Sequence, residues 1–205
     1  MLRIMPASWP LALAPADWQR NLLLMTITEV AILIFKSPPD FSDPTLRSHF
    51  DKLSNWQAEC SGFPLVFFTN PDDPLQIHLV TGWTSVAAHE AWIRGERNQE
   101  LLRLFAPYID MPKIRMVHVG IDFEAIPGSV EGIIVERYRG SDDERVISTR
   151  FESEGEDRRT WSLVGRDLAQ DHGDVFRFVG GGSREFEVGG VLDPVERCAL
   201  KRVKL

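Results

Sequence analysis

The chain has 205 residues, of which 43% are hydrophobic and 26% charged, with a formal net charge of −7. That composition excludes wholesale disorder, and the length suits one large domain or a small domain with an extension. No apolar run reaches the ~18 residues that cross a bilayer, and the acidic balance supplies no basic field for phosphates, so neither membrane nor nucleic acid is an expected partner.

Cys60 and Cys198 lie far apart with no CxxC spacing. This excludes a zinc site built on paired thiolates and argues against a disulfide framework. Two reduced, partly buried thiols in a cytoplasmic protein are expected.

Residues 1–24 read as a separate arm, with Pro10 and Pro15 bracketing Leu11-Ala12-Leu13-Ala14 too tightly for a signal-peptide core. Residues 26–35 (TITEVAILIF) are β-branched and apolar at both parities, which predicts a strand buried on both faces. Asp43-Pro44 is a helix start, followed by Leu46, Phe50, Leu53, Trp56 and Cys60 on one predicted face, and Gly62 stops the helix. Residues 65–69 and 75–83 flank a Pro-Asp-rich turn and predict an antiparallel hairpin. Thr84 or Ser85 caps a helix through Ile93, Gly95 interrupts, and residues 96–108 continue helical with Leu101, Leu104, Phe105 and Tyr108 inward. Residues 113–123 (KIRMVHVGIDF) predict a further strand.

This order predicts a ferredoxin-like βαββαβ unit over residues 25–126, an α+β fold with both helices on one face of an antiparallel sheet. Apolar residues at both strand parities demand a cover for the other face, and a second copy of the sheet would provide it, so a homodimer is expected.

Beyond Ile126-Pro127-Gly128 the chain changes character: residues 127–205 hold 11 of the 15 glycines and 2 of the 13 prolines. Short strands are predicted at 132–138, 145–151, 160–164, 174–179 and 184–188, with a solvated loop at 153–159. This β-rich extension reads either as a small subdomain or as an arm around a partner subunit.

The segment Gly82-Trp83-Thr84-Ser85-Val86-Ala87-Ala88-His89-Glu90-Ala91-Trp92 resembles the strand-to-helix junction of antibiotic-biosynthesis-monooxygenase-type domains, in the dimeric α/β-barrel superfamily. Those domains show a tryptophan ending the third strand, a Ser-type cap and a His/Phe-x-x-Trp helix. The resemblance covers about residues 25–126. It implies a dimeric α/β barrel but not one reaction, since the superfamily includes cofactor-free oxygenases, haem-degrading enzymes, cyclases, decarboxylases and stress proteins. Haem-degrading members carry a proximal histidine about ten positions beyond the helix tryptophan. Here that position is Leu102, flanked by Leu101 and Arg103, none of which ligates iron. The first strand also lacks the asparagine those enzymes use near haem. No cofactor and no metal are expected.

Of five histidines, His78 and His118 lie mid-strand among apolar residues and are the candidate general bases, with core histidines satisfied by backbone groups as the plain alternative. His49 and His89 sit on helices beside Asp51 and Glu90 and read as surface or rim, although His89 borders the expected sheet–helix cavity through its motif. Trp83, His89, Trp92, Tyr108 and Phe67 are the candidate substrate-binding residues, walls suited to a planar aromatic or polyketide-like molecule, against the plain reading of an aromatic core. Gly180-Gly181-Gly182-Ser183 lacks a following helix and is no phosphate loop. Asp142-Asp143-Glu144 and Asp171-His172-Gly173-Asp174 read as solvated turns.

The expected function is a cofactor-independent monooxygenase, or an enolisation-driven cyclase or isomerase of secondary metabolism. The other reading is a non-catalytic ligand-binding or stress-response barrel. A base that ionises an electron-rich substrate and a dry pocket serve either reaction.

Overall fold

The computed structural model describes residues 26–141, 161–169, 173–180 and 194–204. The expected arm and the strands at 145–151 and 184–188 fall outside these residues. So do the loop at 153–159, the Asp142 cluster, His172 and the glycines after Gly180.

The β-branched run forms β1 (Ile27–Ile34), which pairs with a neighbour on each edge and is covered on both faces. Asp43 caps α1 (Pro44–Ser61), its side chain accepting from the Thr45 amide at 2.8 Å, and Gly62 ends the helix at φ 82°, a left-handed conformation that favours glycine. The buried stripe is Leu46, Phe50, Leu53, Gln57 and Ser61. The expected stripe had Trp56 and Cys60 in place of the last two. A period of 3.6 carries the inward face from Leu53 to Gln57, four positions on. Trp56 instead lies under the Lys52 ammonium, 4.8 Å from its ring, and Cys60 is exposed; Cys198 is half-buried.

β2 (Val66–Asn70) and β3 (Asp73–Trp83) form the hairpin. Ser85 caps α2 (Val86–Arg94), accepting from the Ala88 amide at 3.1 Å. Gly95 is extended, with φ −69° and ψ 149°, and α3 (Glu96–Phe105) restarts beyond it. α3 stops short of Tyr108. β4 (Arg115–Val119) is shorter than the predicted strand because 3₁₀ turns occupy Met111–Lys113 and Phe123–Ala125.

The tail continues the same sheet. β5 (Gly132–Tyr138), β6 (Trp161–Arg166), β7 (Val175–Gly180) and β8 (Glu196–Val203) complete eight antiparallel strands in the order β4-β1-β3-β2-β8-β5-β7-β6. β8 is the hinge between the halves, pairing with β2 on one edge and β5 on the other. It was not among the expected strands.

The sheet nearly closes where β6 returns to β4. Val119 bridges Asp167, the Gly120 amide donates to Arg166 O, and the Leu168 amide donates to His118 O, both at 2.8 Å. A Cβ on Gly165 would stand 2.6 Å from Gly120 O, so this seam requires glycine there.

Two cores follow. One lies between the outer face of β1–β3 and the helices, built on Phe50, Ile77, Leu79, Leu101 and Phe105. The other fills the barrel, built on Val30, Val80, Val119, Phe178 and Leu200. The inner sheet face, for which the sequence suggested a second subunit, is thus covered by the chain's own β5–β8. That face therefore carries no argument for a homodimer. Among the described residues, no helix is long and apolar enough to cross a membrane.

Candidate functional site

A single carboxylate interrupts the apolar run of β1. Glu29 shares its strand parity with Ala31 and Leu33, so it points to the helix side, and it is 4% exposed. Register places His118 of β4 directly opposite it. α2, started by the Ser85 cap, lowers His89 onto the pair.

The contacts form a chain. Glu29 Oε2 accepts from Trp83 Nε1 at 2.6 Å and from Gln57 Nε2 at 3.2 Å. His89 Nε2 lies 3.3 Å from the same oxygen. His89 Nδ1 and His118 Nε2 are 2.7 Å apart. The Trp83 and His89 rings stack with centroids 4.6 Å apart. All three contacts to Glu29 converge on Oε2, so Oε1 has no partner among the described residues.

Burial raises the Glu29 carboxyl from 4.5 to about 7, against the opposing hydrogen bonds from Trp83 and Gln57. Burial, helped by the neighbouring His118, holds His89 down at about 3. His118 is also lowered by burial, partly opposed by Asp167 and Glu90. Both rings are therefore neutral at pH 7, and the His89–Glu29 contact is a hydrogen bond rather than an ion pair.

Hydrogen-bond logic then gives two states. With Glu29 ionised, His89 Nε2–H donates to Oε2 and His118 Nε2–H donates to His89 Nδ1. With a proton on Oε2, the two histidine links reverse: Oε2–H donates to His89 Nε2, and His89 Nδ1–H to His118 Nε2, while Trp83 and Gln57 still donate to Oε2. Passing from the first state to the second takes a proton in at His118 Nδ1 and puts one on Oε2, and the reverse passage releases it at His118 Nδ1, on the side where Asp167 and Glu90 act.

Glu29 forms part of the floor of a cavity of about 300 Å³ between the sheet and the helices. Gln57, His89 and Asn98 are its other polar residues, and the walls are apolar, among them Leu79, Trp92, Leu101 and Phe105. This is a largely apolar pocket with one ionisable carboxylate.

The expected site residues separate clearly. His89 and Trp92 line the cavity. Trp83 lies beneath it, bound to Glu29 and stacked on His89. His118 is reached through His89. Phe67 and Tyr108 pack in the helix-side core, Phe67 edge-on to Phe50 and Tyr108 edge-on to His49, and neither lines the cavity. His78 sits opposite Ile32, which has the other parity from Glu29. His78 and His118 share one sheet but face opposite sides of it. His89, read as rim, is 3% exposed and central. Glu29 and Gln57 were missed.

The donor set does not fit haem. Leu102, at the position where the resemblance implies an iron-binding imidazole, is part of the cavity wall, and both nitrogens of His89 are engaged. Among the described residues no group of three or more His, Cys, Asp or Glu is placed to hold a metal ion.

No protein-family model and no curated protein matches the sequence. Solved structures do resemble the fold. A candidate chlorite dismutase aligns with TM-score 0.59 at 6% identity, over 87% of this chain and 96% of its own. A candidate monooxygenase from Fusobacterium nucleatum aligns with TM-score 0.57 at 11% identity, over 88% and 93%. An anthrone oxidase-like protein aligns with TM-score 0.57 at 10% identity, over 88% and 92%. The chain has an α/β-barrel fold of this kind. Both half-barrels come from one polypeptide.

Proposed function

We propose that the chain is an enzyme that removes a proton from a small aromatic or polyketide-type molecule held in the helix-side cavity. The observation that carries this reading is Glu29: a carboxyl tuned to about 7 on the floor of an apolar chamber, joined to two neutral histidines. We read β1 to β4 with their helices as a ferredoxin-like unit, the half that builds this chamber.

A general base works best when its pKa lies near the working pH. Glu29 Oε1 faces the substrate, takes the proton of a phenol or an activated C–H, and leaves an enolate in a largely apolar site. The proton then passes from Oε1 to another atom of the same molecule, or to solvent as product leaves, which resets the base, while Trp83, Gln57 and His89 keep donating to Oε2. The enolate can close onto an electrophilic carbon of the same molecule, or be reprotonated elsewhere. With dioxygen, a carbanion of the anthrone type gives a hydroperoxide, which loses water to leave a ketone. No cofactor enters any of these steps.

The test is a thermal-shift screen of anthrones, phenols and quinols, followed by oxygen uptake and product analysis with wild type and Glu29→Gln. Wild type should turn over a bound compound, and Glu29→Gln should bind it with activity down by a hundredfold or more, the typical weight of a positioned base. Equal turnover by the two proteins would end the reading of Glu29 as base. Oxygen consumption separates oxygenation from cyclisation or isomerisation.

A further inference from the structure

The other face of the same sheet holds a second cavity, of about 260 Å³, inside the barrel. Its body is apolar, with Val30, Val117, Val135 and Phe176 facing one another across the two half-sheets. Its polar residues form a row. Arg115 of β4 and His78 of β3 both lie directly opposite Ile32 of β1, so the three share one face across adjacent strands.

The two guanidiniums in this cavity differ in their partners. Arg137 is held by two carboxylates, Asp174 at 2.7 Å and Glu196 at 3.2 Å. The Glu196 carboxylate in the cavity wall is thereby engaged. Gln76, whose amide nitrogen is held by Asp73 Oδ2 at 2.7 Å, turns its oxygen to His78 Nε2 at 3.2 Å. That fixes Nε2–H as donor and leaves Nδ1 as an acceptor. Burial and the Arg115 charge, partly opposed by Glu196 and Asp73, hold this ring at about 4, so it is neutral. Arg115 is exposed and has no ion pair among the described residues. The cavity is therefore an apolar pocket with one guanidinium that makes no ion pair among the described residues.

We propose that this lumen cavity binds a small apolar monocarboxylic acid, its hydrocarbon body among Val30, Val117 and Phe176 and its carboxylate on the Arg115 guanidinium. The volume falls just below the ~300–1,000 Å³ of drug-sized sites, which suits a molecule the size of hexanoate or benzoate. Guanidinium is the side chain that matches a carboxylate fork. The sheet lies between this site and the Glu29 chamber, and Met116 on edge strand β4 borders both.

Cys198 lines the lumen cavity and supplies a reporter. In a Cys60→Ser background, alkylation of Cys198 by iodoacetamide is followed by mass spectrometry with increasing hexanoate, benzoate or hexanol. Calorimetric titration of the same compounds gives the affinities independently of the thiol. Hexanoate and benzoate should bind saturably and slow alkylation several-fold, with hexanol at least tenfold weaker. Arg115→Gln, at an exposed position, should erase the preference for acid over alcohol without changing Tm. Leu101→Trp, which fills the helix-side chamber, should leave acid binding intact. No binding of either acid at millimolar concentration would overturn the proposal. So would equal acid affinity in Arg115→Gln, or loss of acid binding in Leu101→Trp, which would place the ligand in the other cavity.

Discussion

Trp83 Nε1 donates to Glu29 Oε2 at 2.6 Å, from an indole that also stacks on His89. One residue therefore both stabilises the carboxylate and holds the ring hydrogen-bonded to it. Trp83→Phe keeps the stack and removes the donor. The Glu29 carboxyl should then titrate above its present value of about 7, by about one pH unit, as expected for loss of a hydrogen bond to a charged group. The rising limb of the pH–rate profile should move to higher pH by the same amount. An unmoved limb would remove Trp83 from the tuning of the base.

Glu29 also makes stability depend on pH. Its carboxyl titrates at about 7 in the fold and near 4.5 when exposed. Between these values the native state holds the extra proton, so stability falls as pH rises from 4.5 to 7 and is level above. The span corresponds to about 3 kcal/mol. His89 and His78 act oppositely and lower down: their depressed values, about 3 and about 4, make stability rise with pH up to 6.5. Glu29→Gln should therefore gain stability relative to wild type between pH 4.5 and 8, by about 3 kcal/mol, in urea melts. A constant difference across that range would show that Glu29 titrates normally.

Leu101 is 2% exposed and lines the helix-side cavity. Leu101→Trp should fill the chamber at a cost of about 1–3 kcal/mol and abolish binding of aromatic ligands there. Retained binding in thermal-shift titrations would move the substrate site elsewhere.

The β4–β6 seam has no room for a methyl group at Gly165. Gly165→Ala should push Gly120 O away and weaken the Gly120–Arg166 and Leu168–His118 hydrogen bonds. Amide exchange at Gly120 and Leu168 should accelerate and Tm should fall. Because His118 is the outer end of the hydrogen-bonded chain that holds His89 against Glu29, kcat should fall as well. Unchanged exchange at both amides would contradict the seam.

The first half was legible because its signals are local. Asp43-Pro44 and Gly62 bracket α1, Ser85 starts α2, and the TITEVAILIF run can only be a strand with cover on both sides. The closure was not legible, because β8 pairs with β2 across more than 130 positions and no local pattern encodes that register. β8 does alternate, with Cys198 and Leu200 turned toward the barrel core between exposed Arg197, Ala199 and Lys201, but its charges hide the period of two. The site shows the same division. His89 and Trp92 came from the motif, whereas the pairing of His118 with Glu29, and of His78 with Ile32 on the reverse face, needs the register. One signal was available and unused: a lone glutamate in an apolar strand, which is expensive to bury unless it has a task.

The most direct measurement is an infrared pH titration of the Glu29 carboxyl, as the wild-type minus Glu29→Gln difference spectrum. A protonated-carboxyl band that appears as the pH falls through about 7, and shifts when a ligand enters the chamber, is the predicted result. A band that appears only near 4.5 and ignores ligand would contradict the assignment of Glu29 as a base poised for proton transfer.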